Sequence, residues 1–175
     1  MKHSLDPLLR PRSIAVVGAS RRPQTIGYEI LHNLVSHGFE GAVYPVNPQA
    51  PVVHSLKCYP SLCAIPDPID LAVIVVPRQA IGAVLEDAVA KGVRGLVVIT
   101  AGFREVGGEG ELAEERLKAA VRDAGIRMVG PNCMGIINTD PAINMNATFA
   151  ATRPKRGTAG FMSQSGALGE MILAR

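Results

Sequence analysis

The fold class follows from one segment near the start of the chain, Ser13-Ile14-Ala15-Val16-Val17-Gly18-Ala19-Ser20. Its apolar part does not alternate with polar residues, which is typical of a strand buried on both faces in a parallel sheet. Apolar residues then recur at helical spacing over residues 25–37, and Gly38 stands where a left-handed residue would end that helix. A strand, a glycine turn and a helix form the first unit of an α/β domain.

The same alternation continues outward along the chain. The sequence predicts further strands and helices, the strands over Ala42–Val46, 71–76, 96–100 and Arg127–Val129 and the helices over 79–91 and 111–124. The proline-rich residues 49–69 are predicted to form an irregular connection with one short strand and one helical turn. We therefore predict an α/β fold, with a Rossmann-like open parallel sheet and helices on both faces.

The pattern changes in the last part of the chain. Residues 139–157 show no helical periodicity and end in a basic, proline-containing turn that begins at Arg153. A new strand is predicted over residues 158–162, and a helix begins after it. We therefore expect residues 1–150 to form one domain, residues 151–175 to form a hinge and the truncated start of a second domain, and the chain to be a fragment.

The amino-acid composition excludes several classes of protein. Apolar residues make up 47% and charged residues 19% of the 175 residues, which suits a folded core. The net charge of +3, without alternating aromatic and basic residues, argues against a nucleic-acid partner. No apolar stretch reaches the ~20 residues of a membrane span. Cys58, Cys63 and Cys133 lack metal-site spacing, so we expect reduced thiols, no metal site and a cytoplasmic protein.

The unusual residues of the sequence fall at the strand ends. In an open parallel sheet, ligands bind outside the carboxyl ends of the strands, where loops and helix N-termini meet. The candidate binding residues are Gly18, Ala19, Ser20, Arg21, Arg22, Asn47, Pro48, Val76, Pro77, Arg78, Thr100, Ala101, Gly102, Pro131, Asn132 and Cys133. The first of these loops offers backbone N–H groups, a hydroxyl and guanidinium groups to a phosphate.

A nicotinamide dinucleotide is the nearest alternative ligand, and the residues argue against it. Its fingerprint is G-x-G-x-x-G, with an acidic residue about 20 positions later at the end of the second strand. Here Ser20 occupies the second glycine position and Gly27 comes too late in the turn. The second strand ends in Val46-Asn47-Pro48, which contains no carboxylate.

Catalytic groups are not identifiable in the sequence. The motifs G-x-S-x-G and H-E-x-x-H do not occur. Cys133 has no evident base partner and is expected to be a buried thiol. His3, His32, His37 and His54 are expected to have surface or half-buried roles. No catalytic residue is therefore predicted in this chain.

Five motifs in order resemble one known family. They are Leu8-Leu9-Arg10-Pro11-Arg12-Ser13-Ile14-Ala15-Val16-Val17-Gly18-Ala19-Ser20, Tyr44-Pro45-Val46-Asn47-Pro48, Thr100-Ala101-Gly102-Phe103, Gly130-Pro131-Asn132-Cys133-Met134-Gly135 and Ser163-Gln164-Ser165-Gly166. The set resembles the N-terminal domain of NDP-forming acyl-CoA synthetases, including the ADP-forming acetyl-CoA synthetases, which is similar to the α subunit of succinyl-CoA synthetase. The last motif looks like the start of that family's next, flavodoxin-like domain.

The resemblance implies that coenzyme A (CoA) or acyl-CoA is the ligand. By this analogy the strand-end residues contact successive parts of CoA: Gly18, Ala19, Ser20 and Arg21 the phosphates, Asn47 and Pro48 the adenosine, Val76, Pro77 and Arg78 the adenine or pantetheine arm, and Pro131, Asn132 and Cys133 the thiol end. ATP or ADP, Mg²⁺ and the phosphohistidine relay would belong to synthetase domains or a subunit outside this chain. The intact protein would be a homo-oligomeric ligase.

Two departures from the succinyl enzymes bear on the ligand. Ala101 stands where those enzymes usually carry a glutamate, which argues against succinate as the acid. Asn47 stands where they use a basic residue, which leaves the 3′-phosphate of CoA without an assigned partner. Arg21, Arg22 and Arg78 are the candidates to replace that residue.

Three other functions remain open from the sequence. Bacterial protein lysine acetyltransferases share this region fused to a GNAT-type domain, so the chain could be their CoA- or acyl-CoA-sensing module. Half of an NAD-dependent oxidoreductase is disfavoured by the missing acidic residue after Val46. A scaffold without a ligand is the remaining possibility.

Overall fold

A parallel sheet forms the centre of the computed structural model, which describes residues 5–152 and 154–173. Within these residues the strands are β1 (Ser13–Val17), β2 (Ala42–Val46), β3 (Val52–Val53), β4 (Leu56–Lys57), β5 (Leu71–Ile74), β6 (Gly95–Val98), β7 (Arg127–Val129), β8 (Gly135–Asn138) and β9 (Met145–Thr148). The helices are α1 (Asp6–Leu9), α2 (Ile26–Ser36), α3 (Ile81–Lys91), α4 (Glu109–Asp123) and α5 (Gly166–Leu173), with 3₁₀ turns at Arg78–Ala80 and Arg104–Val106. Five of these described strands form the parallel sheet, in the order β2-β1-β5-β6-β7.

The sheet is covered on both faces because its strands alternate two sets of apolar side chains. On β1, Ala15 and Val17 belong to the apolar cluster that includes residues of α3 and α4. Ile14 and Val16 belong to a second cluster, which includes residues of α2 and β9. Every residue of β1 is buried, as its uninterrupted apolar run predicted. The predicted Rossmann-like α/β sheet with helices on both faces is confirmed.

The order of the strands reverses on either side of β1. Val17 at the end of β1 lies opposite Val46 of β2 on one side and Ile74 of β5 on the other. The helices that follow β1 and β5 cover opposite faces, so the loops that lead into them diverge. Such a switch point opens a crevice outside the carboxyl ends of the strands. The first predicted binding loop starts at this point.

Two strands end earlier than predicted. β5 ends at Ile74 and β6 at Val98, each two residues before the end that the apolar pattern indicated. The Val75 N–H still donates to the Val17 carbonyl oxygen at 2.8 Å, but the regular ladder stops there. Apolar residues continue past the last paired position because they pack under the loops, and the pattern alone cannot mark the end of pairing.

The connection between β2 and β5 is more ordered than predicted. Instead of one short strand it contains two, β3 and β4, which pair antiparallel with Val53 opposite Leu56. The two residues between them, His54 and Ser55, have φ of 51° and 62°. Positive φ at both central residues is what a two-residue hairpin turn of type I′ requires. The sequence did not reveal this turn because His-Ser is not one of its usual pairs.

The helical turn predicted in the same connection is wrong. Residues 61–65 form a hydrogen-bonded turn, and no helix is assigned among the described residues of this segment. The Asp87 carboxylate of α3 accepts the N–H groups of Leu62 and Cys63 at 2.6 and 3.1 Å. The turn is thus held by a side chain from a distant helix, which local sequence cannot indicate.

After β7 the chain forms a hairpin that the sequence did not indicate. β8 and β9 pair antiparallel, and β9 packs against α2. The buried Asn33 amide of α2 donates to the carbonyl oxygens of Thr148 and Ala150 at 2.8 and 3.0 Å. Asn146 and Thr148 are polar and almost fully buried, so an apolar pattern could not reveal β9. The described part of residues 139–157 contains no helix, as predicted.

The last segment is only partly as predicted. Residues 158–162 form no strand, and Met162 is 97% exposed. A single strand needs neighbouring strands to be stable, so a β-like sequence without a partner does not form one. The following helix is confirmed as α5, whose Gly169 is buried beside Met134. Arg153, where the basic turn was predicted to begin, lies outside the described residues, as does the predicted helix end after residue 173.

No described helix has the length and apolar sequence of a segment that crosses a bilayer.

Candidate functional site

The loop after β1 is tight because glycine occupies two of its positions. Gly18 has φ +94°, and a Cβ atom there would lie 2.4 Å from the Val75 carbonyl oxygen. Gly27 is in the first turn of α2, and its Cβ would lie 2.1 Å from the Gly18 carbonyl oxygen. A side chain at either position would force the backbone to move. The N-terminus of α2 is therefore pressed against the end of β1.

The role of Gly27 was not predicted from the sequence. Gly27 lies too far along the chain to be the third glycine of the G-x-G-x-x-G nicotinamide fingerprint, so the sequence alone does not assign it to the binding turn. In the structure, Gly27 nevertheless has the role of that third glycine, because it allows the helix to pack closely against the strand. A glycine in the first turn of an otherwise regular helix was the available signal, because glycine has a cost in helix stability of about 1 kcal/mol.

Between these glycines the loop presents polar groups at the N-terminus of α2. The Arg22 N–H donates to Ser20 Oγ at 3.0 Å, and the Thr25 hydroxyl donates to the Arg22 carbonyl oxygen at 2.8 Å. These bonds fix the loop conformation from within. The side chains of Arg21 and Arg22 are exposed, and the N-cap residue Thr25 makes no side-chain cap to the helix. Helix N–H groups and two guanidiniums are thus available to an anion.

Asn47 joins the end of β2 to this loop. Its Nδ2 donates to the Ala19 carbonyl oxygen at 2.8 Å, and its Oδ1 accepts the Gln49 N–H at 2.8 Å. Both ends of the amide are therefore occupied by the protein. Pro48 next to it is exposed. Asn47 therefore holds the loop after β1 in position, and Pro48 leaves an exposed surface beside it.

The loops after β5 and β6 are bonded to each other. Arg78 Nη1 donates to the Gly102 carbonyl oxygen at 2.9 Å, and the Thr100 hydroxyl donates to the Val76 carbonyl oxygen at 2.7 Å. Pro77 and Ala101 are exposed beside these bonds. The loops therefore form one surface, on which Arg78 is already engaged by a protein carbonyl.

Glu105 organises the turn that follows β6. Its carboxylate accepts the backbone N–H groups of Gly102 and Phe103, the second at 3.2 Å. The Gly102 N–H is the main reason that the pKa of Glu105 is lowered. These bonds explain why a carboxylate stands there, because it satisfies two donors that the turn leaves free.

The loop after β7 completes the edge. The Asn132 N–H donates to the Thr100 carbonyl oxygen at 3.0 Å, and Pro131 is half-buried. The half-buried Cys133 thiol contacts the Val98 carbonyl oxygen at 3.4 Å, and burial raises its pKa to about 11. A thiol with that pKa is protonated at neutral pH and is not a nucleophile. Cys133 is therefore half-buried rather than buried as predicted, and its raised pKa supports the expectation that it is unreactive.

The structure thus brings all the predicted site residues to one edge of the sheet. Asn47 bonds the β2 end to the β1 loop, and a Cβ on Gly18 would meet Val75 and Val76 after β5. Thr100 connects the loops after β5, β6 and β7. Among the described residues, no group of three or more His, Cys, Asp or Glu side chains is arranged to hold a metal ion.

A protein-family model described as a CoA binding domain matches residues 12–139 of this chain. The matched segment runs from the start of β1 to the end of β8 and includes every loop of the edge. The chain belongs to the CoA-binding domain family.

Relatives of this CoA-binding domain are longer proteins. It is 47% identical over 169 residues to the α subunit of acetate–CoA ligase [ADP-forming] II from Pyrococcus furiosus, covering 97% of this chain and 36% of the relative. The solved structure of PH0766 from Pyrococcus horikoshii matches with a TM-score of 0.92 and 45% identity, covering 98% of this chain and 38% of that one. The dinucleotide forming acetyl-coenzyme A synthetase 1 of Ca. Korarchaeum cryptofilum, in complex with phosphate and ADP, matches with a TM-score of 0.87, 45% identity and coverage of 98% and 36%. The chain therefore spans little more than a third of the length of these relatives.

The CoA-binding domain carries a ring cluster, formed by Tyr28, His32 and His54, that the sequence did not indicate. Tyr28 lies in the first turn of α2, His32 one turn later, and His54 in the β3–β4 turn. The ring centroids are 5.8 Å apart for Tyr28 and His32, 4.6 Å for Tyr28 and His54, and 5.4 Å for the two histidines. Both histidines are half-buried, within the roles predicted for them. Their proximity arises from the unpredicted hairpin, which carries His54 back to α2.

Proposed function

We propose that this chain is the CoA-binding domain of an NDP-forming acyl-CoA synthetase. In the intact enzyme, a carboxylic acid, CoA and ATP would be interconverted with acyl-CoA, ADP and phosphate. The single observation that carries the proposal is the N-terminus of α2, which is held against the end of β1 by Gly18 and Gly27 with two exposed arginines beside it. Membership of the CoA-binding family and the ligase names of the relatives support the same function.

The proposed contacts follow the order of the strand ends. The diphosphate of CoA would accept hydrogen bonds from the backbone of Gly18, Ala19 and Ser20 and from the first turn of α2, with Arg21 and Arg22 adding charge. The adenosine would lie over Pro48, next to the amide bond between Asn47 and the loop. The pantetheine arm would cross Val76, Pro77, Arg78, Thr100, Ala101 and Gly102 toward the thiol end at Pro131, Asn132 and Cys133.

The rest of the reaction would take place on parts of the protein outside this chain. ATP or ADP, Mg²⁺ and the relay histidine belong, in this proposal, to further synthetase domains or to a second subunit. Residues 1–150 would be the CoA domain, and residues 151–175 the hinge and start of the next domain. No residue of the chain is proposed to be catalytic. We also propose that the protein is cytoplasmic and homo-oligomeric. The three free cysteines support the first of these, because thiols stay reduced in the cytoplasm.

The other functions have less support. Two of the relatives described above are named as an acetate–CoA ligase subunit and an acetyl-CoA synthetase, and neither name indicates a protein acetyltransferase. A nicotinamide dinucleotide would need a carboxylate at the end of β2, whereas Asn47 there bonds to the loop instead.

Isothermal titration of the chain with CoA and, separately, with NAD tests the proposal. We expect CoA to bind and NAD not to bind; binding of NAD alone would overturn it. Ser20→Leu should weaken CoA binding by crowding the loop, whereas Ala90→Leu, which adds the same bulk at an exposed position in the last turn of α3, should not.

Replacing both Arg21 and Arg22 by Ala tests the charge. Loss of one charge-assisted hydrogen bond should weaken CoA binding about tenfold or more. Binding that is unchanged in this variant and insensitive to salt would show that the arginines are solvated and take no part.

A further inference from the structure

The 3′-phosphate of CoA has no assigned partner at the end of β2, where Asn47 is committed to Ala19 and Gln49. Arg78, one of the candidates to replace a basic residue there, donates to Gly102 on the far side of the switch point. The 3′-phosphate is attached to the adenosine ribose, so its partner must lie close to the adenosine end of the ligand. On that side, apart from the loop arginines proposed to serve the diphosphate, the cluster of Tyr28, His32 and His54 offers imidazole nitrogens to a phosphate.

The cluster lies where the adenosine end is proposed to bind. Tyr28 is in the first turn of α2, whose N–H groups are proposed to bind the diphosphate. The hairpin that carries His54 follows Asn47 and Pro48 directly, and its Val53 is fully buried against the α2 side of the core. The centroid of the His54 ring lies 4.6 Å from that of Tyr28, so the hairpin reaches the first turn of α2.

His54 has two features that a purely structural turn residue would not need. Its Nε2 is buried and makes no hydrogen bond within the described residues. An unpaired buried nitrogen is unfavourable, and a phosphate oxygen would satisfy it. In addition, His54 occupies a left-handed position of a type I′ turn, where Asn-Gly is strongly preferred over His-Ser. The turn thus retains an imidazole in a conformation that favours other residues, as functional positions often do.

We infer that His54, supported by Tyr28 and His32, recognises the 3′-phosphate of CoA. This inference rests on the proposed function and identifies the group by which CoA is distinguished from 3′-dephospho-CoA. An imidazole N–H donates to a phosphate oxygen, and the protonated ring adds a charge. Binding of the phosphate therefore favours uptake of a proton by His54.

The surroundings of His54 make this proton uptake depend on the ligand. Burial lowers the pKa of His54, and the neighbouring His32 lowers it further, while Glu29 on the same face of α2 acts in the opposite direction. Without ligand the ring is therefore neutral at physiological pH. A dianionic phosphate raises the pKa of a histidine beside it, so the preference for CoA should grow as the pH falls toward the ordinary histidine pKa of about 6.5.

The experiment compares the affinities of CoA and 3′-dephospho-CoA by isothermal titration. We expect the native chain to prefer CoA and His54→Gln to lose about tenfold or more of that preference, with dephospho-CoA binding unchanged. Lys57→Gln is the matched control: it removes a charge from the same hairpin, but Lys57 lies over the Tyr59 ring, 5.1 Å from its centroid. It should retain the preference.

A second variant excludes loss of the fold as the explanation. His54→Asn combined with Ser55→Gly places the favoured pair in the turn, so its Tm should equal or exceed that of the native chain. It should nevertheless lose both the preference for CoA and its increase between about pH 8 and about pH 6.5. A CoA preference that survives in both His54 variants overturns this inference alone. An equal loss for both ligands also overturns it and assigns His54 to the adenine, whereas a native chain that binds neither ligand overturns the proposed function with it.

Discussion

Replacing Gly27 by Ala tests the contact between α2 and the phosphate loop with a matched control. Gly27 and Gly82 are each the second residue of an 11-residue helix, α2 and α3, and each follows an isoleucine. A Cβ at Gly27 would lie 2.1 Å from the Gly18 carbonyl oxygen, whereas a Cβ at Gly82 would meet nothing within 4 Å. The two substitutions gain a similar helix propensity, but only the Cβ at the buried Gly27 would clash.

The magnitudes follow from that difference. Gly82→Ala should raise the free energy of unfolding by about 0.5–1 kcal/mol, because alanine is the better helix former. Gly27→Ala has the same gain, but the backbone must move to relieve the overlap, at a cost of about 1–3 kcal/mol. Gly27→Ala should therefore be less stable than Gly82→Ala by about 1–3 kcal/mol.

Urea unfolding of both variants, followed by circular dichroism, measures this difference, and CoA titration shows its effect on the site. The movement of α2 away from Gly18 should also weaken CoA binding in Gly27→Ala, while Gly82→Ala binds as the native chain does. If Gly27→Ala is as stable as Gly82→Ala and binds CoA normally, α2 is not pressed against the loop and the reasoning is refuted.

Three further predictions concern single side chains. Asn47→Ala should lower the free energy of unfolding by about 1–2 kcal/mol, because it removes the bond to Ala19, and should weaken CoA binding; an unchanged urea midpoint would contradict this. Iodoacetamide at neutral pH should modify the exposed Cys63 of the native chain before Cys133, whose pKa burial raises to about 11; mass spectrometry that finds Cys133 modified first would contradict its burial. Burial alone would raise the pKa of Asp70, but the Arg12 N–H and the Arg94 guanidinium outweigh it and lower the pKa, so the stability that Asp70 contributes is lost as the pH falls below the ordinary Asp value of about 3.9. Asp70→Asn should therefore destabilise at neutral pH and differ little from the native chain in acid, and equal differences at both pH values would exclude this linkage.

The parallel sheet could be predicted because its strands are buried on both faces. The five residues of β1 read as an uninterrupted apolar run, and the structure buries all of them. The parallel strands and the major helices each appeared in the sequence with small errors at their ends. The predicted strand ends come too late because hydrogen-bonded pairing stops before the apolar run ends, as at Ile74 of β5.

The hairpins could not be predicted, for two different reasons. β3 and β4 are only two residues each, and the His54-Ser55 turn lacks the usual glycine. β9 is polar, and its buried Asn146 and Thr148 are satisfied by bonds to residues far away in the sequence or to each other. Both elements depend on tertiary contacts with α2 rather than on local preference.

The candidate site was predicted at the level of loops and less well at the level of side chains. The carboxyl ends of parallel strands must meet at one edge, so the position of every candidate residue followed from the topology. Whether a side chain is free for a ligand did not. Asn47 and Arg78 are bonded to the protein, and His54 reaches Tyr28 of α2 only through the unpredicted hairpin.

The phosphates of CoA are proposed to bind at the loop between β1 and α2. The most direct test is titration of the ¹⁵N-labelled chain with CoA, followed through its backbone amide signals by NMR. We expect the largest shifts at the amide signals of residues 18–28, whereas signals from the opposite edge of the sheet, such as that of Gly95 at the start of β6, should not shift. Large shifts at the opposite edge with none at residues 18–28 would contradict it.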